Sequence, residues 1–358
     1  MGKKITIKDL ADKAGVSIGT VHCALAGKPG VGEETRSRIV SLAKTWNYSP
    51  NAAASSLKRK AIRLAAVFPG PTDVNRFYFS YVWNGIHEYL ASMRDYNIDL
   101  VELPYYNDAA GQGRALAELL EEERLDGVLT LGYMDRECRT LLRRFKKKGV
   151  PVVLVGSDVQ RSDRFCCVQP DYDVVGRTLA ELLNWQAPQG PILVCAGSHI
   201  IPSHYEIVLG LEAFFRDSGL DRVVVKVNEN GDEAAYYDDI ARLLSSREPF
   251  AACCSVSARS SVLLARALEA TKAAGTMPAV GCDVFDENIR SLELGTFTNL
   301  IHKNPYSQAY MATKCLAEYI FRNIKPARDT LLVGSEIVFQ SGLPTFRSGQ
   351  QTLHAVMG

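Results

Sequence analysis

Residues 6–26 read TIKDLADKAGVSIGTVHCALA and predict two short helices joined by a tight turn. Thr6 is expected to be the N-cap of the first helix, with Asp9 three positions later. A threonine and an acidic residue at this spacing can accept hydrogen bonds from the first backbone amides. Gly15 suits the left-handed backbone that ends a helix, and Ser17 is placed to cap the next one. Two helices at this spacing have the geometry that places a helix in the major groove of DNA.

The second helix, expected from Ile18 to about Ala26, separates an inner from an outer face. Val21 and Leu25 lie four positions apart and are expected to point into the domain. The outward side near the N-terminal end, where a recognition helix meets base edges, carries Ile18, Gly19, His22 and Cys23. These four residues are therefore the first candidates for reading a DNA sequence.

The helical pattern and a basic charge continue to about residue 60. A third amphipathic helix is expected from Glu33 to Trp46. Residues 1–60 hold eleven Lys and Arg against four Asp and Glu, a net charge of +7 in a chain whose formal charge is +1. A basic head on a mildly acidic body is typical of a phosphate-binding module joined to a small-molecule domain.

The first 60 residues resemble the N-terminal domain of the lactose and galactose repressor family of regulators. The matching residues are Thr6, Asp9, Ala11, Ala14, Gly15, Val16, Ser17, Thr20, Val21, Leu25, Thr35, Arg36, Ile39, Asn47, Tyr48, Pro50, Asn51, Ala54 and Leu57. This resemblance, with the outward face of the second helix, implies DNA contacts from Thr6, Ser17, Ile18, Gly19, Thr20, His22, Cys23, Lys28, Tyr48, Asn51, Ala54 and Leu57. It also implies a hinge helix at about 51–58 that folds on DNA, with Leu57 wedged into the minor groove.

Three positions depart from the family pattern. His22-Cys23 stands where the family carries Ser-Arg, Ala26 replaces an asparagine, and Gly32 replaces the serine that caps the third helix. An arginine at position 23 could bond guanine O6 and N7, whereas a cysteine cannot. We therefore expect an operator that differs from the usual GC-centred half-site.

From Ile62 onward the sequence alternates buried strands with helices. Strands are expected at 63–69, 98–103, 127–131 and 152–155, and again at 191–195, 223–227, 251–255 and 279–282. Repeated strand-helix units predict two doubly wound parallel sheets with right-handed crossovers. The ligand site then belongs at the carboxyl ends of the strands, where the two lobes face each other.

This part resembles the periplasmic sugar-binding-protein fold that such regulators carry, on segments that include Asp126-Gly-Val-Leu and Gly281-Cys-Asp-Val-Phe-Asp286. The expected fold is thus an all-α helix-turn-helix domain, 1–60, plus an α/β two-lobed effector domain, 61–345. The expected lobes are 61–162 with 297–326 and 163–296 with 327–345, followed by a tail at 346–358. Lobe closure is expected about crossovers near 160–166, 293–299 and 324–330.

A sugar-like effector needs flat aromatic rings to stack on its apolar face and polar groups to bond its hydroxyls. Strand-end loops and the family pattern indicate Tyr78, Phe79, Tyr133, Asp158, Tyr205, Arg259, Asp283 and Lys303. Tyr205 and Lys303 stand where the family carries an arginine and a glutamine. Other roles stay open for four of the eight: Phe79 in the core, Asp158 as a cap, Arg259 in a surface ion pair and Asp283 as a hinge hydrogen-bonder.

Several other classes of function receive no support from the sequence. It contains none of the phosphate-loop, dinucleotide-binding, nucleophile-elbow or zinc-protease motifs, so no catalysis and no cofactor are expected. Nine cysteines lack metal-type spacing and are expected to be buried thiols, while His199 and His204 fit loop positions better than a metal site. No run of 18 apolar residues and no secretory leader is present, which predicts a cytoplasmic protein without a membrane partner.

These features predict a homodimeric regulator that binds operator DNA and responds to a sugar or sugar derivative. The resemblance implies that this regulator is a repressor, the most frequent role in the family. Two alternatives remain open. One is a cytosolic sugar sensor without specific operator binding, which the departures in the recognition helix allow. The other is an activator, or a regulator that needs a corepressor.

Overall fold

The structure is a computed structural model that describes residues 5–25, 27, 29–46, 48, 61–106, 108–159 and 161–344. It divides into two compact units, one around the N-terminal helices and one around two β-sheets. The expected hinge helix at 51–58 and the tail at 346–358 lie outside the described residues. So do four of the predicted DNA contacts, Lys28, Asn51, Ala54 and Leu57.

Local capping signals start and end the first helices of the N-terminal unit. Its helices are α1 (Ile7–Ala14), α2 (Ile18–Leu25) and α3 (Glu33–Thr45). Thr6 N donates to Asp9 Oδ2 at 2.8 Å and Asp9 N donates to Thr6 Oγ1 at 3.3 Å, which completes the capping box. Gly15 ends α1 at φ +62°, and Thr20 N donates to Ser17 Oγ at 3.1 Å at the start of α2. The predicted helix-turn-helix is confirmed.

The core of this unit is small and is fixed by two arginines. Leu10, Val21 and Ile39 are fully buried, while Leu25, expected to point inward, is only partly buried at the edge of the core. Arg36 Nη1 donates to Ala24 O and Arg38 Nη2 donates to Ala14 O, both at 3.0 Å. These bonds satisfy carbonyl groups at the ends of α2 and α1, which helical bonding leaves open.

The second unit begins with alternating strands and helices. Its first elements are β1 (Ile62–Pro69), α4 (Arg76–Ser92), β2 (Ile98–Tyr105), α5 (Ala109–Leu120), β3 (Gly127–Thr130), α6 (Arg136–Lys147), β4 (Val152–Val155) and β5 (Cys166–Gln169). The next are α7 (Tyr172–Gln186), β6 (Ile192–Gly197), α8 (Pro202–Asp217), β7 (Val224–Asn228), α9 (Glu233–Leu244), β8 (Ala252–Ser255), α10 (Ala258–Ala270), β9 (Ala279–Cys282), α11 (Asp286–Glu293) and β10 (Asn299–His302). The last are α12 (Pro305–Arg322), β11 (Thr330–Leu332) and β12 (Glu336–Val338).

These strands form two six-stranded sheets, which confirms the predicted two-lobed α/β architecture. The first sheet has the order β11-β5-β4-β3-β1-β2 and the second β12-β10-β9-β8-β6-β7. In the first sheet, β1 pairs in parallel with β3, β3 with β4, β4 with β5, and β5 with β11. In the second sheet, β12 pairs antiparallel with β10 at one edge. The expectation of wholly parallel sheets is corrected at that edge.

The crossovers between the lobes lie later in the chain than expected. The expected positions were near 160–166, 293–299 and 324–330, of which residue 160 lies outside the described residues. In the structure, β5, β10 and β11 each pair with their own sheet before the chain leaves it. The chain therefore crosses after β5, after β10 and after β11, and the expected lobe ranges shift accordingly. These three strands were not among the predicted ones, so the expected crossovers were placed too early.

Close packing of α7 on α8 depends on two glycines. A Cβ added to Gly176 would collide with the carbonyl oxygen of Ile207, and one added to Gly210 would collide with that of Asp173. Because both obstacles are backbone atoms, they cannot move aside as a side chain would. The two helices can approach this closely only without a β-carbon at these positions.

We expect Gly176→Ala to lower the free energy of unfolding by about 1–3 kcal/mol, because overpacking forces the helices apart. Chemical denaturation of the whole chain measures this. Gly334→Ala is the matched control, since a Cβ there meets open space. Equal stability of the two variants would contradict the role given to the α7–α8 contact.

Candidate functional site

A cavity of about 480 Å³ lies between the two lobes at the carboxyl ends of the strands. The first lobe contributes residues that follow β1, β3 and β4, and the second contributes the loops after β6, β7 and β8. Lys303, between β10 and α12, lies in one crossover and also lines the cavity. Open parallel sheets bind ligands at this position, so we take this cavity as the candidate effector site.

Aromatic rings dominate the wall from the first lobe. Tyr78 and Phe79 lie on α4 with ring centroids 5.2 Å apart and nearly perpendicular planes, and Tyr133 follows β3 with its side chain fully buried. Burial raises the pKa of the Tyr78 and Tyr133 phenols, so both keep their protons. This wall offers flat apolar faces with neutral hydroxyl groups at their edges, a surface suited to a ring-shaped ligand.

A buried ion pair fixes the crossover that carries Lys303. Asp283 Oδ1 accepts from Lys303 N at 3.1 Å, and Asp283 Oδ2 lies 3.2 Å from Lys303 Nζ. Lys303 Nζ also donates to Val256 O at 2.9 Å. On the side of the first lobe, Gln308 Nε2 donates to Lys303 O at 2.5 Å and Tyr78 OH donates to Gln308 Oε1 at 3.1 Å. One polar chain thus runs from β9 of the second lobe to α4 of the first.

Arg259 lines the opposite wall and is held by two carboxylates. Its Nη1 lies 2.5 Å from Glu229 Oε1, and its Nη2 lies 3.0 Å from Glu233 Oε2. Burial raises the pKa of Glu229, while the charge of Arg259 opposes that rise. The result is a partly buried cluster of one guanidinium and two carboxylates beside the cavity.

His204 adds a neutral imidazole to the same wall. Its Nδ1 accepts a hydrogen bond from Ser198 N at 3.1 Å, so the proton of the neutral ring sits on Nε2. Burial, with the positive charge of Lys303, lowers the pKa of His204 to about 3. The ring is therefore uncharged at neutral pH and acts as a hydrogen-bond donor through Nε2.

The structure brings five of the eight predicted effector residues to the cavity: Tyr78, Phe79, Tyr133, Arg259 and Lys303. Three others lie elsewhere. Asp158 accepts two hydrogen bonds from the Arg164 guanidinium, each 2.5 Å long, instead of capping a helix. Tyr205 is 50% exposed on α8. Asp283 is only 1% exposed and does not line the cavity. Its carboxylate instead bonds Lys303 in the crossover, which agrees with the alternative role of a hinge hydrogen-bonder.

Several lining residues were not predicted from the sequence. Ser157 Oγ is buried without a hydrogen-bond partner among the described residues, and Asn75 is almost buried before α4. Glu229 and Ser203 also line the cavity. Glu229 directly follows β7 and Ser157 lies two positions after the end of β4, which is the one sequence signal that could have indicated them.

The two lobes also touch each other at the edges of the cavity. Phe77 and Phe285 stack with ring centroids 4.8 Å apart, and Arg76 Nη2 lies 2.7 Å from Glu287 Oε1. Elsewhere, Met134 N donates to the carbonyl oxygen of Ile200 at 2.8 Å. These contacts join the first lobe to the second, so the structure shows the effector domain with its cleft closed.

The outward face of α2 matches a recognition surface. Ser17, Ile18, Gly19 and His22 are exposed, with Ile18 at 48%, whereas Thr20 and Cys23 are partly buried. Two other predicted DNA contacts have structural partners: Thr6 forms the capping box, and Tyr48 packs against the core. An exposed isoleucine on an N-terminal helical turn is available to touch base edges.

Within the described part of the chain, no helix is long and apolar enough to cross a membrane. Over the same residues, no group of three or more His, Cys, Asp or Glu side chains is arranged to hold a metal ion. Eight of the nine cysteines are buried free thiols, and Cys23 is partly buried.

Known proteins share both parts of the chain. Catabolite control protein A from Staphylococcus epidermidis is 26% identical over 210 residues, which span 58% of this chain and 60% of that relative. The HTH-type transcriptional regulator pepR1 from Lactobacillus delbrueckii subsp. lactis is 28% identical over 246 residues, or 66% of this chain and 69% of the relative. The matched region thus spans about 60% of the length of the first relative.

A solved structure shows the same fold in the effector domain. GanP, a glucose-galactose binding protein from Geobacillus stearothermophilus, aligns with a TM-score of 0.71 and 20% identity over 80% of this chain and all of that one. Family models match as well: one described as a periplasmic binding protein domain covers residues 66–322, and one described as bacterial regulatory proteins, lacI family, covers residues 6–51. The chain therefore belongs to the proteins with a periplasmic binding protein domain, and it carries a DNA-binding domain of the lacI family of bacterial regulatory proteins at residues 6–51.

Proposed function

We propose that this chain is a sequence-specific DNA-binding regulator whose operator affinity changes when a small sugar-like effector binds between the lobes. The observation that carries the proposal is the pairing, in one chain, of an exposed α2 recognition face with a closed, aromatic-lined cleft. The family relatives named as regulators support it. In keeping with them, we propose that the protein acts as a cytoplasmic homodimeric repressor without catalytic activity.

The first lobe supplies the aromatic rings with Asn75 and Ser157, and the second lobe supplies His204 and Arg259, so a ligand must touch both lobes to be fully held. Such a ligand binds the closed form better than the open form and therefore shifts the population toward closure. If closure changes DNA affinity by some factor, DNA must change effector affinity by the same factor. Tyr78, Phe79, Tyr133, Arg259 and Lys303 are proposed to surround the effector.

An in vitro selection with the full chain and randomised duplex DNA tests the proposal. We expect a two-fold symmetric operator, since a homodimer presents two recognition helices. Sugars added to the selected complex should change its dissociation constant. Failure to enrich any sequence would favour the alternative of a sugar sensor without specific operator binding.

Cys23→Arg should change the base preference of the protein. A guanidinium at this place on α2 can form two bonds to guanine O6 and N7, so one position in each half-site should gain guanine preference by about 1–3 kcal/mol. Parallel selections with the parent and the variant measure this. Thr45→Arg adds the same charge on α3 and should leave base preference unchanged, and identical profiles for Cys23→Arg and the parent would contradict the placement of α2.

Arg76→Ala should loosen the closed cleft. The change removes the ion pair with Glu287 and the guanidinium that lies 4.2 Å over the Phe77 ring. We expect the backbone amide of Met134, which bonds across to Ile200, to exchange its hydrogen up to about fivefold faster, as a loss near 1 kcal/mol predicts. Arg216→Ala, an exposed change on α8, is the control. Equal exchange in all three proteins would show that these contacts do not hold the cleft.

A further inference from the structure

The charged side chains around the cavity are mostly acidic. Among the described residues that line it, the lysine and arginine side chains are Lys303 and Arg259. Acidic side chains are more numerous, because Asp108 and Glu229 line the cavity and three more stand at its mouth: Asp73, Asp232 and Glu233. A ligand that carries a negative charge binds more tightly where a cation is still free to bond it.

Lys303 is already engaged by buried partners, and its charge is balanced by Asp283. In the structure Nζ bonds to Val256 O, faces Asp283 Oδ2 and contacts the thiol of Cys282. The whole residue is 4% exposed, and Asp283 behind it balances its charge. Lys303 and Asp283 together thus contribute no net charge to the wall of the cavity.

Arg259 is bound to carboxylates through three of its five N–H donors, and its charge is balanced by them. Nη1 is bonded to Glu229, while Nε and Nη2 both face Glu233 Oε2, at 3.1 and 3.0 Å. Two carboxylates against one guanidinium leave this cluster with a net negative charge. His204, whose ring is neutral, supplies no positive charge in compensation.

The groups that remain for a ligand are neutral. Ser157 Oγ is buried and unpartnered among the described residues, and His204 Nε2 and the side chain of Asn75 stand on the same cavity. The rings of Tyr78 and Phe79 provide apolar faces beside them. This set matches the hydroxyls and ring face of an uncharged sugar.

We infer that the effector is an uncharged ring compound, an unphosphorylated sugar or a glycoside of one, and that Glu229 and Glu233 exclude sugar phosphates by occupying Arg259. The inference rests on the proposed function of the cavity. It makes the two glutamates specificity-determining residues, because their carboxylates hold the one guanidinium that could otherwise bond a phosphate.

The test compares the parent with Glu229→Gln/Glu233→Gln, which keeps the shape of both side chains and frees Arg259. Glu181→Gln/Glu248→Gln is the matched control, since it removes two exposed carboxylates of the same lobe. The probes are D-glucose, D-galactose, their 6-phosphates and inorganic phosphate. Calorimetric titration of the full chains at constant ionic strength gives affinities, and circular dichroism checks folding.

We expect the cavity variant to bind the 6-phosphates and inorganic phosphate at least tenfold more tightly than the parent and the control do. Adding Arg259→Gln to the cavity variant should remove that gain, which separates the cavity from phosphate binding by the basic N-terminal unit. The single variant Glu229→Gln, expected to show a smaller gain, serves if the double variant misfolds.

Two results would overturn the inference. One is a parent protein that binds a 6-phosphate as tightly as, or more tightly than, the matching free sugar. The other is a folded cavity variant with no gain for phosphate. Neither result depends on DNA binding, so the selection of an operator can succeed or fail independently of both.

Discussion

The buried pair of Asp283 and Lys303 is the interaction on which the rest of the effector domain depends. Asp283 ends β9 in a left-handed backbone conformation at φ +67°, and its carboxylate binds both the amide and the ammonium of Lys303. Two charges taken out of water pay a large desolvation penalty, offset only by close geometry and further hydrogen bonds. Val256 O and Gln308 provide such bonds here. Because removing one partner would leave a buried charge, we expect the pair to hold the crossover at residue 303 in one conformation.

Features encoded by neighbouring residues could be predicted from the sequence. The capping box of Thr6, the left-handed Gly15 and the Ser17 cap fix α1 and α2 through contacts within four positions, so a linear pattern was enough. The two sheets could also be predicted, because the alternation of strands and helices is a long repeated pattern in the linear sequence. The short strands β5, β10 and β11 were missed, because their identity depends on pairing with partners distant in sequence.

The candidate site was predicted less completely than the fold. Tyr78, in the first turn of α4, and Tyr133, in the loop after β3, were predicted from their places after strand ends, and both line the cavity. Asp158 was assigned to the ligand by residue type, but a carboxylate six residues before an arginine finds its partner locally. Glu229 was missed because its importance comes from Arg259, thirty positions away. A polar residue's role depends on which charges fold against it, and composition does not encode that.

The contacts that close the cleft are individually weak. The Arg76–Glu287 pair is about half exposed, and such pairs contribute up to about 1 kcal/mol. An aromatic pair such as Phe77 with Phe285 adds about 0.5–1.5 kcal/mol beyond its buried area, and a single backbone hydrogen bond adds about 1 kcal/mol. Contacts of this size would favour the closed form by only a few kcal/mol over a form that lacks them. A ligand that touches both lobes can supply that difference, whereas one that touches a single lobe binds both forms equally and shifts nothing. Because lining residues of this cavity come from both lobes, a ligand in it could act on a switch as well as occupy a binding site.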